Sequence, residues 1–365
     1  MTDIQETLAH ALKGRRYAIL GAGQLGAMSL DLWPDTVALP EFFLDSHKSG
    51  DLRGIPIHDL KQHVPVPGIT YLVGAFTIPP RQLKAMMDAL GQSFLLTVYD
   101  VFQQHTPTVF GNGWHNYDAG SETLACLQSS TELYADELSR RNWNAAAEWR
   151  YRRVLSDDYP LGPQQGKYDL RPFGRGGVHY EVVYDCGSFD LSLLDWLASA
   201  EITYDRMVAF EPDPGRYAAC KRLLEEGKLP SGGITLDRRA ISDRAGSAPF
   251  LANSLLAARI IRDTTLRHPK LTAVDTCTLD AQRPVPNQGA RILIKLHIEG
   301  SELPALKGAA NLLERTRADI LLNLSHDEPS LLEIPRWIAS LGRHDLFLRS
   351  HALFGEGMTL FARHH

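Results

Sequence analysis

This sequence predicts an α/β fold with two separate sheets, and three observations carry the prediction. Short apolar runs that read as buried strands alternate with stretches patterned for helices, which implies parallel sheets. Several of those runs end in a glycine turn or a carboxylate just before a helix begins. A run of Gly, Pro and Gln from Gly162 to Gly177 separates the two series. At 365 residues the chain has room for both.

The first series, residues 1–98, predicts a small Rossmann-like domain. Met1 to Arg16 is a polar, mildly amphipathic lead without the apolar region of a secretory signal. Tyr17–Leu20 reads as a strand, Gly21-Ala22-Gly23-Gln24-Leu25-Gly26 as a turn, and Ala27–Trp33 as a helix. Glu41–Leu44 reads as a second strand closing on Asp45, followed by Gly54-Ile55-Pro56-Ile57. A strand at Thr70–Val73, a helix at Pro79–Leu90 and a strand at Ser93–Val98 complete the series. Asp45 lies 19 residues beyond Gly26. Gly21, Gly23, Gly26 and Asp45 therefore fit a dinucleotide fingerprint, with glycines for close approach and an acid for a ribose. The other reading is a structural or dimerising domain whose glycines serve helix–sheet packing.

Residues 99–177 predict a helical connector and linker. Phe110–Gly120 should be a loop. Ser121–Leu155 reads as helical, with Leu124, Leu127, Tyr134 and Leu138 near one stripe. Residues 178–365 form the second α/β series. Its strands are expected at Glu181–Tyr184, Arg206–Phe210, Ile234–Leu236, Ile292–Leu296, Ile320–Leu324 and Met358–Phe361. Its helices are expected at Leu191–Ala200, Gly215–Glu226, Ser301–Arg315 and Ser330–Leu341. In the Ser301 helix, Leu303, Leu306, Ala310 and Leu313 make the apolar face and Ser301 can cap the start.

Composition narrows the partners. The net charge of −5 argues against an electrostatic grip on nucleic acid or an anionic membrane, leaving a small-molecule acceptor and a homo-oligomer open. No stretch approaches the roughly 20 apolar residues of a bilayer span. Cys126, Cys186, Cys220 and Cys277 are far apart and form no CxxC pair, which suits reduced thiols of a cytoplasmic protein. His344, His351, His364 and His365 lack ligand spacing and read as surface residues, so no metal site is expected.

Three segments of the second series carry chemistry. Val182-Val183-Tyr184-Asp185-Cys186-Gly187-Ser188 is a strand that ends in an acid and turns through Gly toward a helix. Met207–Asp213 ends likewise at Glu211, 26 residues after Asp185, which suits an acid that receives ribose hydroxyls. In Ile292–Gly300, alternation places Lys295, His297 and Glu299 on one side.

With these segments in view, Val182–Ala362 resembles the FkbM family of S-adenosylmethionine-dependent methyltransferases. The resemblance rests on Tyr184–Ser188, Phe210–Asp213, Ala240-Ile241-Ser242-Asp243, Thr278-Leu279-Asp280, Ile294–Leu303 and Leu306-Lys307-Gly308-Ala309. It implies a doubly wound, seven-stranded class I methyltransferase sheet and O-methylation of sugar-like or natural-product hydroxyls. S-adenosylmethionine would lie over the strands' C-terminal ends, with Asp185, Gly187, Ser188, Glu211, Ser242 and Asp243 as its candidate ligands. Two positions depart from the family pattern: Leu191 stands where a second glycine is usual, and His297 where Asp is usual. An alcohol acceptor needs a general base, and His297 suits that role, with Glu299 orienting it or the acceptor. Lys295 either contacts the acceptor or, in the favoured reading, pairs with Glu299, and His326 at a strand end is a further candidate for the acceptor. The first series is similar to small nucleotide-binding-like domains fused ahead of some sugar-modifying enzymes. Two other functions remain open: a non-catalytic, nucleotide-like ligand-binding protein with a degenerate site, and an NAD-dependent oxidoreductase.

Overall fold

A computed structural model describes residues 4–31, 33–105, 121–162, 169–174, 176–227, 233–252, 258–261 and 270–365. The loop expected at Phe110–Gly120 lies outside these residues, as do residues 163–168 and 175 of the run at Gly162–Gly177. The chain divides into two compact units. One comprises Met1–Leu124, Asn144–Gln164 and Ser350–Glu356, the other Ala125–Trp143, Gln165–Arg349 and Gly357–His365. Residues expected as a connector contribute to both.

The first unit begins with helix α1 (Ile4–Leu12), then β1 (Arg16–Leu20), α2 (Gln24–Asp31), β2 (Phe42–Asp45), β3 (Gly50–Leu52) and β4 (Ile55–Asp59). It continues with β5 (Ile69–Val73), α3 (Pro80–Ala89), β6 (Leu96–Thr97) and α4 (Val98–His105). Its six strands run in the order β3-β4-β2-β1-β5-β6, with β1, β2, β4, β5 and β6 parallel as the alternation predicts. Three elements correct the sequence reading. The lead contains α1, and β3 pairs antiparallel with β4. The strand expected over Ser93–Val98 shrinks to two residues, because α4 starts at Val98. The carboxylate of Asp100 accepts the Thr97 amide at 2.6 Å, which fixes that helix start.

Helices α5 (Ser121–Ser130) and α6 (Glu137–Arg152) flank a 3-10 turn at Thr131–Leu133, so the single helix expected over Ser121–Leu155 is broken. The cause is local. The Ala135 amide bonds the Leu346 carbonyl at 2.9 Å, and Asp136 caps the new helix by accepting the Ser139 amide at 2.8 Å. Leu138 is consequently exposed, while Leu127 and Tyr134 remain buried.

The second unit carries β7 (His179–Cys186), α7 (Leu193–Ser199), β8 (Thr203–Phe210), α8 (Pro214–Glu225) and β9 (Ile234–Asp237). A small four-stranded sheet follows from β10 (Ala240–Ile241), β11 (Gly246–Leu251), β12 (Arg259–Ile260) and β13 (Leu271–Cys277), none of which was expected as a strand. Then come β14 (Arg291–Leu296), α9 (Glu302–Lys307), α10 (Ala310–Arg315), β15 (Arg317–Asn323), α11 (Glu328–Ser340), β16 (His344–Ser350) and β17 (Met358–His364). The main sheet has seven strands in the order β16-β17-β15-β14-β7-β8-β9, with β17 antiparallel to β15. From β7 the chain winds outward through β8 and β9, then returns to place β14 on the other side of β7. The strand order therefore reverses between β7 and β14, and in such sheets ligands bind beyond the strands' C-terminal ends at that point.

The Ser301–Arg315 helix is two helices, and Gly308 explains the break. A Cβ there would lie 2.2 Å from the Ser242 carbonyl oxygen, so only glycine allows this close approach. Beyond it, the Asp280 carboxylate accepts the Asn311 and Leu312 amides at 3.1 and 2.7 Å and starts α10. The break turns the apolar face: Ala305, Leu306, Ala309, Leu312 and Leu313 are buried and Ala310 is exposed. Ser301 makes no side-chain cap. Glu302 instead fixes the turn before the helix by accepting the Ile298 and Gly300 amides, each at 2.9 Å.

Candidate active site

The turn after β7 is held by its neighbours. Gly187 has φ +78, and a Cβ there would lie 2.1 Å from the His297 carbonyl oxygen, so β7 and β14 pass too close for any side chain. The Gly187 and Ser188 amides both donate to the Phe210 carbonyl, and the Ser188 hydroxyl donates to the Asp185 carbonyl at 2.9 Å. Asp185 and Lys295 form a buried ion pair at 2.8 Å, and the Lys295 ammonium also donates to the Gly187 carbonyl at 2.5 Å. Lys295 thus pairs with Asp185, not with Glu299 as expected. Residue 295 lies within β14, level with Asp185, whereas Glu299 lies beyond the strand.

Phe189 and Leu191 take left-handed backbone, at φ 54 and 61. Leu191 keeps the conformation a glycine would adopt there, and its side chain is 1% exposed within the cluster of Leu193, Leu194 and Leu197. Its bulk fills the core. Glu211, buried at the end of β8, accepts the Phe189 amide on Oε2 at 2.8 Å and the Asp213 amide on Oε1 at 3.0 Å. Burial raises the Glu211 pKa above the ordinary carboxylate value, against the pull of those two amides. Arg216 stacks on the Phe189 ring at 3.7 Å.

Across from this turn, four titratable side chains converge. His297 Nε2 lies 3.4 Å from Glu299 Oε1, and His326 Nε2 lies 3.3 Å from the same oxygen. His326 Nδ1 is 2.8 Å from Glu302 Oε1, and the two imidazoles stand 5.0 Å apart. Glu299 also takes a left-handed conformation, φ 55, and adjoins Gly300 at φ 92. Burial opposes ionisation of both Glu299 and His326. Their mutual attraction, with Glu302 added, prevails, holding the Glu299 carboxyl well below its ordinary range and the His326 imidazole well above its own. Glu299 and Asp327 also act on the buried Arg259.

The structure thus gathers Asp185, Gly187, Ser188, Glu211, Lys295, His297, Glu299 and His326 about the ends of β7, β8, β14 and β15. Ser242 and Asp243 lie in the turn after β10, where their side chains bond each other at 3.1 Å. Sequence reasoning gave no role to Glu302, Asp327, Arg259 or Phe189. Glu302 had a signal, an acid opening a helix two residues after Gly300; the others are joined to the site only by the fold. The late histidines also need correcting. His344, His351 and His364 are half-buried, with His344 Nε2 2.9 Å from the Ala318 carbonyl, and His365 is exposed.

In the first unit the fingerprint glycines divide by role. A Cβ at Gly21 would lie 2.7 Å from Ala75 Cβ, and one at Gly26 would lie 2.3 Å from the Gly21 oxygen, whereas Gly23 faces open space. Asp45 accepts the Ala22, His47 and Lys48 amides, and Lys48 donates to the Ala22 carbonyl.

Comparisons with known proteins agree with this architecture. Residues 185–344 match the family model described as the methyltransferase FkbM domain. The structure is similar to that of methyltransferase FkbM from Methylobacillus flagellatus KT, at 19% identity and TM-score 0.63, covering 99% of this chain and 93% of that one. An rRNA methylase from Streptococcus thermophilus matches at 9% identity and TM-score 0.30, over 51% of this chain and 88% of that one. The N-terminal domain of human METTL16 matches at 13% identity and TM-score 0.31, over 68% and 96%. No curated protein matches the chain. Over residues 185–344 the chain is thus similar to the methyltransferase FkbM domain, and its α/β fold is that of a methyltransferase.

Proposed function

We propose that the second unit transfers a methyl group from S-adenosylmethionine to a hydroxyl of a small molecule, sugar-like or of natural-product type. The observation that carries this reading is the meeting of two groups at the point where strand order reverses: the Gly187 turn with Glu211, and His297 with Glu299. The residues fit the cofactor. Each Glu211 oxygen accepts one amide, which leaves a lone pair on each for a ribose hydroxyl. Leu191 turns its side chain into the core and so does not obstruct the turn. Bound there, S-adenosylmethionine supplies a methyl group already activated by its sulfonium.

The remaining work belongs to the protein: to orient the acceptor and to take its proton. His297, half-buried, serves as the base, and Glu299 orients its ring. Lys295 positions the Gly187 turn, and Ser242 and Asp243 serve the adenine end. The four cysteines are free thiols, in keeping with a cytoplasmic setting. Among the described residues no helix is long and apolar enough to cross a membrane. In the first unit, the engagement of Asp45 with three backbone amides favours a structural role for the glycine turn over nucleotide binding.

The test follows transfer of a labelled methyl group to a panel of polyhydroxylated acceptors. His297→Ala should lower turnover by about 100-fold or more while cofactor affinity stays unchanged. Undiminished turnover would remove His297 from the mechanism. Tight cofactor binding with no transfer to any acceptor would favour the non-catalytic reading.

A further inference from the structure

We propose that His297, Glu299 and His326 form a binding site for a divalent first-row transition metal ion. One donor atom from each residue lies within 4.8 Å of the other two. Two of the separations are informative. Ligands bound tetrahedrally at the usual zinc distances of about 2.0–2.1 Å stand about 3.3 Å apart. The two histidine Nε2 atoms lie 3.4 and 3.3 Å from Glu299 Oε1. Two sides of the donor triangle thus already have the spacing an ion needs, and the third lies within 4.8 Å.

Two independent observations point to a ligand. His326 is 1% exposed, and although its Nε2 lies 3.3 Å from Glu299 Oε1 it makes no hydrogen bond of normal geometry among the described residues, while Glu299 Oε2 has no hydrogen-bond partner there. Buried polar atoms are ordinarily satisfied, and these two belong to the same cluster. Glu302 also accepts from His326 Nδ1 at 2.8 Å. Metal-bound histidines commonly engage a carboxylate through the nitrogen that does not bind the metal, which fixes the ring and aims the other nitrogen at the ion. Glu302 is fully buried and itself anchored by the Ile298 and Gly300 amides.

Two imidazoles and one carboxylate favour zinc, cobalt, iron or nickel over magnesium or calcium. Three protein ligands also leave a coordination position for an outside oxygen. The role of that position rests on the methyl-transfer reading: an acceptor hydroxyl bound there would be acidified. The His297 lone pair would then be on the ion, so ion and free imidazole are alternative means of meeting the acceptor's proton. Metal binding itself does not depend on that reading.

The experiment titrates the chelator-stripped, full-length protein with Co2+ and reads the visible absorption of four- or five-coordinate cobalt. Wild type should saturate at one ion per chain, with Zn2+ displacing it. His326→Gln should abolish the signal, and Glu302→Gln should weaken binding by about 10- to 100-fold. Thermal melting of each variant shows that it folds. No cobalt signal at millimolar Co2+, or an equal signal in His326→Gln, overturns the site. Calorimetry with S-adenosylmethionine on the same samples separates the two ideas. Cofactor binding without cobalt binding defeats only the metal site, cobalt binding without cofactor binding defeats only the methyl-transfer reading, and failure of both defeats both.

Discussion

Leu191 shows how a single residue can depart from a family pattern while its backbone keeps the expected conformation. Left-handed backbone costs a non-glycine residue about 1–2 kcal/mol, and burial of a leucine side chain offsets more than that. Leu191→Gly should therefore lower stability by about 2–3 kcal/mol, because the lost packing and the cavity outweigh the relieved strain. Chemical denaturation would show it, and a stabilised variant would contradict the account. From sequence, Leu191 stood out only as a leucine where a second glycine is usual; that its side chain turns into the core depends on the sign of φ, which a residue's identity does not reveal. Glu211 was legible as a strand-end acid, because the apolar run Met207–Phe210 that closes β8 stops just before it. The partner of Lys295 was not, since Asp185 meets it only through the pairing of β7 with β14.

At the scale of elements, strands read as continuous apolar runs were found within one to three residues, because both faces of a parallel sheet are covered. The small sheet of β10–β13 was missed: β10 and β12 have two residues each, and β13 is mixed in polarity with two exposed threonine and alanine positions after Leu271. The break between α9 and α10 was equally hidden, since its cause is the Ser242 carbonyl, 66 positions earlier in the chain. Gly308→Ala should accordingly destabilise the second unit by about 1–3 kcal/mol through overpacking, measured as a lower midpoint in urea. An unchanged midpoint would mean that the two backbones separate easily. In the first unit, α4 depends on Asp100, whose carboxylate pairs with Arg153 at 2.8 Å with both side chains buried. Asp100→Ala leaves the Arg153 charge without this carboxylate, and a loss of about 3–5 kcal/mol is expected. A loss below about 1 kcal/mol would show that the pair is dispensable.

For the whole molecule, alternating strands and helices foretold an α/β sheet in each unit. Sequence could not foretell that the chain would cross between units more than once: Ser350–Glu356 belongs to the first unit although β16 and β17 on either side lie in the main sheet of the second. Such division depends on contacts far apart in sequence, which local patterns do not encode. The central claim, that the second unit holds S-adenosylmethionine through Glu211, is tested most directly by calorimetric titration of the full chain with that cofactor, using NAD for comparison, from pH 5 to 8. The account predicts binding that strengthens as pH rises, since burial raises the Glu211 pKa and only the ionised carboxylate can accept from both ribose hydroxyls. Glu211→Gln should weaken binding by about 10- to 100-fold near neutral pH and flatten that dependence. No binding of S-adenosylmethionine at millimolar concentration, or tighter binding of NAD, would contradict it.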